Sequence, residues 1–400
     1  MIKRHLFLLS LFWSQLCLKA QISVDSAVSP QKRTEIELVY NHYLQDGNNS
    51  AVTGGVGTEK LTVYGPSATL RKFRGSNVLE AHLGVDIISS ASTDKIDYVV
   101  SSASSRDARY IAEVGHQRSI SSKWSINGGL AYSLESDYFS QGYKLGVRRT
   151  KNDLNSLAVQ LQYYNDDLRW GRINPSYFRP EKLIYPSELR YKEWFDSPKR
   201  NSFNLKVGWT FQGGRQNVVG IYPEFSYQGG LLATPFHRVY FTDNSLRVEN
   251  LPSRRFRTAL AFKVNTALSD LIIIKNSING YSDDFGIRSL SFENESVFRV
   301  NPFLLLMPGF RIMTQKASTY FAPFQQHLVR AEYYTSDYDL SGFETYTLSL
   351  GMKYHPFDFI GRRILFNTMI FRYSYLFRTN GLKSHVMSAV FTMEYFKNKK

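Results

Sequence analysis

The sequence is poor in cysteine and in long hydrophobic runs. Its single cysteine is Cys17, near the N-terminus. The longest apolar stretch, Leu6 to Leu18, is shorter than the roughly 20 residues that a membrane-spanning helix needs. A helical membrane anchor is therefore not expected. If Cys17 is removed with an N-terminal signal, neither a disulfide nor a thiol nucleophile is available to the mature chain.

The N-terminus has the pattern of a secretory signal peptide. Lys3 and Arg4 form a basic start, the apolar run follows, and Ala20 ends the segment as a small residue. We predict cleavage after Ala20, a signal peptide over residues 1–20 and a short periplasmic lead over residues 21–32. Attachment of a lipid at Cys17 is disfavoured, because Leu16 stands where a lipoprotein signal has a small residue.

Recognisable enzyme motifs are also lacking. The eight histidines are scattered, and none lies in a Ser-His-Asp motif. The glycines at positions 54, 55 and 57 lack the lysine and helix of a phosphate loop and predict a flexible loop tip. We predict a protein that is not an enzyme, with no catalytic residue, cofactor site or metal site. The aspartates of segment 86–107 leave a Ca²⁺ site as the alternative to a solvated loop.

Aromatic residues are abundant, at 15% of the chain, although the mean hydropathy is only −0.30. This combination is typical of β-barrels, in which alternate residues of each strand face lipid. The segment Glu344 to Tyr354 shows the alternation most clearly. Its predicted lipid-facing girdle is Tyr346, Leu348, Leu350, Met352 and Tyr354. The two outer tyrosines lie about 26 Å apart in a strand, which suits a tilted crossing with tyrosines at both interfaces.

The same alternation elsewhere places charged residues on the opposite strand face from the apolar ones. Glu80, His82 and Asp86, for example, alternate with apolar residues from Leu79 to Ile87. A water-filled lumen solvates such charges, whereas a soluble core would not. The alternatives are a large soluble β-sandwich or a β-helix, but their outer faces should not be so rich in large apolar residues.

Alternation and turn signals together predict an all-β, transmembrane antiparallel barrel of about 16 strands, within a range of roughly 14–18. The barrel is expected over residues 33–396, with a basic tail at 397–400 after Phe396. An even strand number places both termini in the periplasm, with the short links there and the long links outside. The predicted strands are 33–43, 60–72, 77–90, 107–119, 123–135, 138–151, 154–165, 201–212, 217–230, 254–267, 271–282, 286–299, 302–316, 343–355, 362–378 and 383–396.

One predicted link, Asp166 to Arg200, is unusually long and aromatic. A loop of that length is usually functional or disordered, and its aromatic residues argue against disorder. We expect it to narrow the lumen or its mouth. Its candidate lumen or loop residues are Arg169, Trp170, Arg172, Tyr177, Phe178 and Arg179.

The pore is predicted to favour anions. Removal of Lys3, Arg4 and Lys19 with the signal peptide lowers the formal net charge from +15 to +12. Like charges lining a confined channel concentrate the opposite ion. The candidate lumen-facing residues on polar strand faces are Lys144, Arg148, Lys206 and Lys263.

Three segments resemble a bacterial family of unknown function, number 3570. They are Ala51 to Leu70, Gly84 to Asp97 and Val100 to Arg109. The resemblance implies an outer-membrane barrel and supplies no catalytic residues. It also implies an association with envelope redox proteins, because genes of this family often lie beside those for a thioredoxin-like protein, a small lipoprotein and a flavin transferase.

These observations predict an outer-membrane barrel that acts as a constricted pore or small-molecule transport channel. A closed barrel that serves as an interaction platform, with a link to a redox or flavoprotein system, is the alternative, and a barrel enzyme is a third. The expected partners are outer-membrane lipid and lipopolysaccharide, the barrel-assembly machinery and a periplasmic lipoprotein. Nucleic acid is not an expected partner, since the signal peptide directs the chain out of the cytosol.

Overall fold

The structure is a computed structural model that describes residues 33–90, 106–135, 138–168, 199–234, 237–361 and 363–396. The predicted signal peptide, periplasmic lead and basic tail lie outside these ranges. In the described part of the chain, no helix is long and apolar enough to cross a membrane.

Sixteen long antiparallel strands form the wall within the described residues. They are β1 (Arg33–Asp46), β2 (Leu61–Arg74), β3 (Asn77–Ser90), β4 (Arg106–Ser119), β5 (Trp124–Leu134), β6 (Phe139–Asn152), β7 (Asn155–Asp167), β8 (Lys199–Gln212), β9 (Asn217–Gly230), β12 (Arg254–Ala267), β13 (Ile272–Asp283), β14 (Arg288–Asn301), β15 (Leu304–Lys316), β16 (Phe343–Tyr354), β18 (Ile364–Arg378) and β19 (Lys383–Phe396). Three short strands, β10 (Arg238–Tyr240), β11 (Leu246–Val248) and β17 (Asp358–Ile360), and two 3-10 helices, Ala51–Thr53 and Tyr338–Leu340, lie in the connections.

The sheet closes on itself. Each long strand pairs with its neighbours in the chain, and β1 pairs with β19 from Arg33 opposite Phe396 to Asp46 opposite Lys383. Closure gives every wall strand two partners, so its backbone groups need no water. The predicted barrel of sixteen strands is confirmed. The largest boundary difference is at β1, which continues to Asp46, while β7 and β8 extend to Asp167 and from Lys199 into the predicted link.

The outer surface of the wall is apolar. In β16, the side chains of the predicted girdle point outward; Leu348 is 67% exposed and Leu350 57%, whereas the alternate residues Thr345 and Gly351 are buried. Similar stripes of exposed leucine, phenylalanine, tyrosine and tryptophan follow the other wall strands. Such a surface is stable only in a lipid bilayer, and a closed barrel is the one β-architecture that can span it. The molecule is an outer-membrane β-barrel.

The inner surface of the wall is charged and rich in ion pairs. Arg71 of β2 donates to Glu35 of β1 at 2.7 Å and to Glu80 of β3 at 2.6 Å. Asp86 of β3 accepts from Arg109 of β4. Asp86 therefore belongs to the wall and not to a solvated loop, as does Asp107 in β4, while Asp94 and Asp97 lie outside the described residues.

The two ends of the barrel differ in their connections. Most connections at one end, the short-turn end, are tight, although residues 355–363 there include β17. The opposite, long-loop end carries three long connections that the structure describes. We call them loop A (residues 47–60, between β1 and β2), loop B (231–253, between β9 and β12) and loop C (317–342, between β15 and β16).

Candidate functional site at the long-loop end

Loops A and B leave the wall on opposite sides of the barrel. In the closed order of the strands, six wall strands separate β2 from β9, and six separate β12 from β1. Two loops can meet directly above the wall only if they connect strands that are neighbours in the barrel. Contact between loops A and B therefore requires both to bend inward across the mouth.

Such contact is present. The 3-10 helix of loop A contacts β10 of loop B. A methyl group at Gly54 of loop A would lie 2.6 Å from the ring of Tyr240 in loop B and 3.4 Å from the ring of Phe324 in loop C. At Gly55 it would lie 2.9 Å from the carbonyl oxygen of Ser336 in loop C. The three loops thus form one layer across the mouth, which we call the cap.

The glycines of loop A allow this close approach. Gly54 and Gly55 have φ angles of 80° and 91°, a region that residues with a Cβ rarely adopt. The backbone N–H of Gly55 donates to the carbonyl of Ser50 at 2.8 Å, and Thr53 Oγ1 donates to the same carbonyl at 3.3 Å. The prediction of a flexible loop tip here is wrong, because these glycines are buried and packed against aromatic rings.

Loop B reaches the cap as a short hairpin. Its strands β10 and β11 pair from Arg238 opposite Val248 to Tyr240 opposite Leu246, and Asn244 adopts a φ of 65° at the turn. Longer hairpin loops often end with one residue at a positive φ, which asparagine tolerates better than most residues.

The hairpin is anchored to loop C by apolar side chains. Val239 and Phe241 are fully buried. The ring of Phe241 meets that of Tyr334 edge to face at 4.8 Å. Burial of one phenylalanine stabilises a fold by roughly 1.5–3 kcal/mol, so this contact holds the hairpin against loop C.

A second apolar cluster joins loops B and C to the rim of the barrel. Its buried members are Leu232, Leu251, Phe285, Ile287 and Leu340. Phe285 and Ile287 lie in or beside the tight turn between β13 and β14. The guanidinium of Arg255 lies 4.6 Å from the centre of the Phe285 ring and also donates to Asp283. The ends of loop B are thus fixed to the wall.

A buried polar cluster lies between loops B and C. His237 Nδ1 is 3.4 Å from Glu249 Oε1 and 3.8 Å from Asp337 Oδ2. Glu249 also accepts from the Thr234 backbone N–H and the Thr335 hydroxyl, both at 2.6 Å. Residue exposures of 2% for His237 and Glu249 and 6% for Asp337 show that water has little access.

Burial changes the acidity of this cluster. Burial raises the pKa of Asp337 above its ordinary value, and the nearby charge of Asp339 raises it further, while His237 opposes the shift. The carboxyl oxygen Oδ1 of Asp337 also accepts from the Asp339 backbone N–H at 2.9 Å as the cap of a 3-10 helix. Asp337 therefore lies beside Glu249 in a site that water does not reach, and this environment disfavours the charged form of its carboxyl group.

The model of one protein family matches residues 87–359, and its description is "Protein of unknown function (DUF3570)". The chain belongs to the DUF3570 family. The match includes loops B and C with all three residues of the polar cluster, whereas loop A precedes it. No curated protein matches the sequence.

Solved structures of outer-membrane proteins resemble the fold of this DUF3570 chain. A structure titled "Bacterial polysaccharide outer membrane secretin" has a TM-score of 0.49 at 9% identity and covers 93% of this chain and 100% of its own. OccK1 of Pseudomonas aeruginosa has a TM-score of 0.41 at 7% identity, covering 90% and 99%. A BenF-like porin of Pseudomonas fluorescens Pf-5 has 0.42 at 8%, covering 90% and 98%.

The inner wall of the DUF3570 barrel includes the four basic residues singled out from the sequence. Lys144 donates to Glu113 at 2.5 Å, and Lys206 lies 3.5 Å from Glu224. The Lys263 ammonium lies 5.4 Å from the centre of the Tyr222 ring. Arg148 lies in β6 on the same face as Lys144. Neighbouring carboxylates thus offset the field of Lys144 and Lys206.

Aromatic residues of the inner wall lie over glycines of adjacent strands. A methyl group at Gly142 of β6 would be 2.7 Å from the ring of Tyr164 in β7, and one at Gly208 of β8 would be 3.3 Å from the ring of Tyr222 in β9. Such pairs let a ring lie flat on the wall and support a strand that lacks a side chain.

The residues predicted from the sequence to narrow the pore do not belong to loops A, B or C. Arg169, Trp170, Arg172, Tyr177, Phe178 and Arg179 lie outside the described residues. The sequence alone does not indicate that loops B and C form part of a cap. One available signal was the pair of short apolar segments Val239–Phe241 and Leu246–Val248 around Asp243-Asn244, which is a hairpin pattern.

Proposed function

We propose that this protein is an outer-membrane channel for small polar solutes whose long-loop mouth is narrowed by the cap. The observation that carries the proposal is the contact of Gly54 in loop A with Tyr240 in loop B across the barrel. A barrel of sixteen strands leaves a water-filled interior unless loops fill it. A cap anchored at the rim restricts passage to solutes that fit between the loops.

The charged inner wall supports passage of water and polar solutes. Ion pairs such as Arg71 with Glu80, and Glu295 with Lys275 and Arg372, line it. Basic residues of the lumen face, among them Arg148 and Lys263, add positive charge to this wall. Like charges that line a confined channel concentrate the opposite ion, so the anion preference remains part of the proposal.

A closed interaction platform is the second candidate, and the cap itself favours it. Loops that meet over the mouth can also seal it and present a surface to a partner. Discrete ion conductance separates the two functions, because a sealed barrel conducts no current. The prediction that the chain is not an enzyme stays a prediction.

In this proposal, the long-loop end faces the extracellular side and both termini face the periplasm. The outward placement follows the usual barrel arrangement, with short turns inside. Basic residues near the rim would then pair with lipopolysaccharide phosphates. The barrel-assembly machinery and a periplasmic lipoprotein remain expected partners.

Two glycine substitutions test the cap. Gly54→Ala adds a methyl group at a positive φ and also pushes it into the Tyr240 ring. Gly75→Ala, in the turn between β2 and β3, adds the methyl group at a φ of 57°, where nothing lies within 4 Å. Both variants carry the backbone penalty of roughly 1–2 kcal/mol, but only the first disturbs the cap.

Single-channel recordings in planar lipid bilayers give the readout. The proposal expects discrete conductance for the wild type, larger or more fluctuating conductance for Gly54→Ala and wild-type behaviour for Gly75→Ala. Absence of conductance in the wild type and in Gly54→Ala would favour the platform. Identical conductance in all three proteins would show that the cap does not limit passage.

A further inference from the structure

We infer that His237, Glu249 and Asp337 form a binding site for one divalent transition-metal ion such as Zn²⁺, which ties loop B to loop C. The site would lie in the cap, outside the barrel wall. The inference concerns binding alone, so it stands whether or not the barrel conducts.

The spacing of the three side chains fits a metal site. One ligand atom from each lies within 4.8 Å of the other two. Nδ1 of His237 is 3.4 Å from Glu249 Oε1 and 3.8 Å from Asp337 Oδ2. Bonds of about 2.0–2.2 Å in tetrahedral geometry separate two ligand atoms by roughly 3.3–3.6 Å. Binding therefore needs shifts of only a few tenths of an ångström for two of the pairs.

The charge of the cluster favours a cation. The side chains of Glu249 and His237 are 0% and 2% exposed and that of Asp337 is 8% exposed. With both carboxyl groups deprotonated and the imidazole neutral, as metal ligation requires, the two negative charges balance one divalent ion. A third acid, Asp339, follows Asp337 closely but has its own partner, Arg378 Nη1, at 2.7 Å. A divalent ion would neutralise Glu249 and Asp337 in a place that water does not solvate.

The ligands are already oriented by a surrounding set of hydrogen bonds. The Thr234 backbone N–H holds Glu249 Oε2, and the Thr335 hydroxyl holds Glu249 Oε1. The Asp339 backbone N–H holds the Oδ1 of Asp337, which leaves Oδ2 facing His237. Metal sites typically have such supporting bonds behind the ligands, since these bonds fix each ligand in place.

The ligand types point to a transition metal. Imidazole nitrogen with carboxylate oxygen suits Zn²⁺ and related ions, whereas Ca²⁺ takes six to eight oxygen ligands. Three protein ligands leave the fourth position of a tetrahedral ion for one water molecule, as in zinc sites with three protein ligands. The competing explanation is a protonated His237 paired with both carboxylates, which needs no metal.

Equilibrium dialysis of the full-length, untagged protein against Zn²⁺ tests the inference after the protein has been stripped with a chelator. We expect one Zn²⁺ per chain in the wild type. His237→Gln and Asp337→Asn should each weaken the binding by at least about tenfold. Asp243→Asn, on the exposed turn of the same hairpin, removes a carboxylate outside the cluster and should bind like the wild type.

Each outcome decides the question. Absence of stoichiometric Zn²⁺ in the wild type would overturn the inference, and so would binding that both ligand variants retain. Heat-modifiable gel migration checks that each variant is folded, and if a variant fails to fold, the wild-type stoichiometry alone decides. Conductance plays no part in this test, so failure of the metal site and failure of the proposed channel are distinguishable.

Discussion

Substitution of Leu350 by arginine tests which face of the wall meets lipid. Leu350 lies in the interior of β16, opposite Pro308 of β15 and Tyr373 of β18. Its side chain is 57% exposed on the outer surface. An arginine on the lipid face near the bilayer midplane destabilises a barrel by roughly 2–4 kcal/mol. We expect the free energy of unfolding of Leu350→Arg to fall by about that amount.

The neighbouring residue Ser349 supplies the matched control. Its side chain points into the barrel, where its Oγ would lie 2.8 Å from a methyl group at Gly309, and the lumen there is polar. Ser349→Arg introduces the same charge one position away, into water. Its effect should be well below 2 kcal/mol.

Urea titration of the protein in lipid vesicles, followed by tryptophan fluorescence, measures both free energies of unfolding. Equal losses for Leu350→Arg and Ser349→Arg would refute the assignment of the two faces. A larger loss for Ser349→Arg would show that β16 is turned the other way.

Two more substitutions probe the inner wall. Glu295→Gln removes the carboxylate that pairs with Lys275 and Arg372, so the anion selectivity of the channel, measured from reversal potentials, should rise. Glu344→Gln makes the same change of charge on the outer face and should leave the selectivity unchanged. Gly142→Ala should lower the free energy of unfolding by about 1–3 kcal/mol, because its methyl group meets the Tyr164 ring. Gly280→Ala, where nothing lies within 4 Å of the methyl group, should leave the free energy of unfolding unchanged. Equal effects of the two substitutions would contradict the packing of the Tyr164 ring on Gly142.

The strands of the wall could be predicted because the pattern that marks them lies within each strand. A residue that faces lipid must be apolar, and its neighbours in the strand face the lumen, so the period of two is visible without any knowledge of partners. The alternation around Leu348 and the charges Glu80 and Asp86 therefore indicate their faces directly. The inner residues also show why charge in a barrel is not evidence of a soluble protein: Arg109 and Asp86 satisfy each other.

The cap could not be predicted because its contacts are distant in sequence. Glu249 and Thr335 are 86 positions apart, and neither has a neighbour that marks it as half of a site. The glycines at 54 and 55 are visible in the sequence, but the rings that cover them belong to other loops. Composition alone gives the same signal for a mobile turn and for a close-packed one.

The seam between β1 and β19 joins the two described wall strands that lie furthest apart in the sequence. β1 pairs with β19 along the whole of its length, from Phe396 back to Lys383. Until these two strands meet, the sheet has two exposed edges, each able to pair with any extended chain. A protein truncated before Lys383 would keep both edges permanently, and we expect it to join with other copies or be degraded rather than to form a smaller barrel.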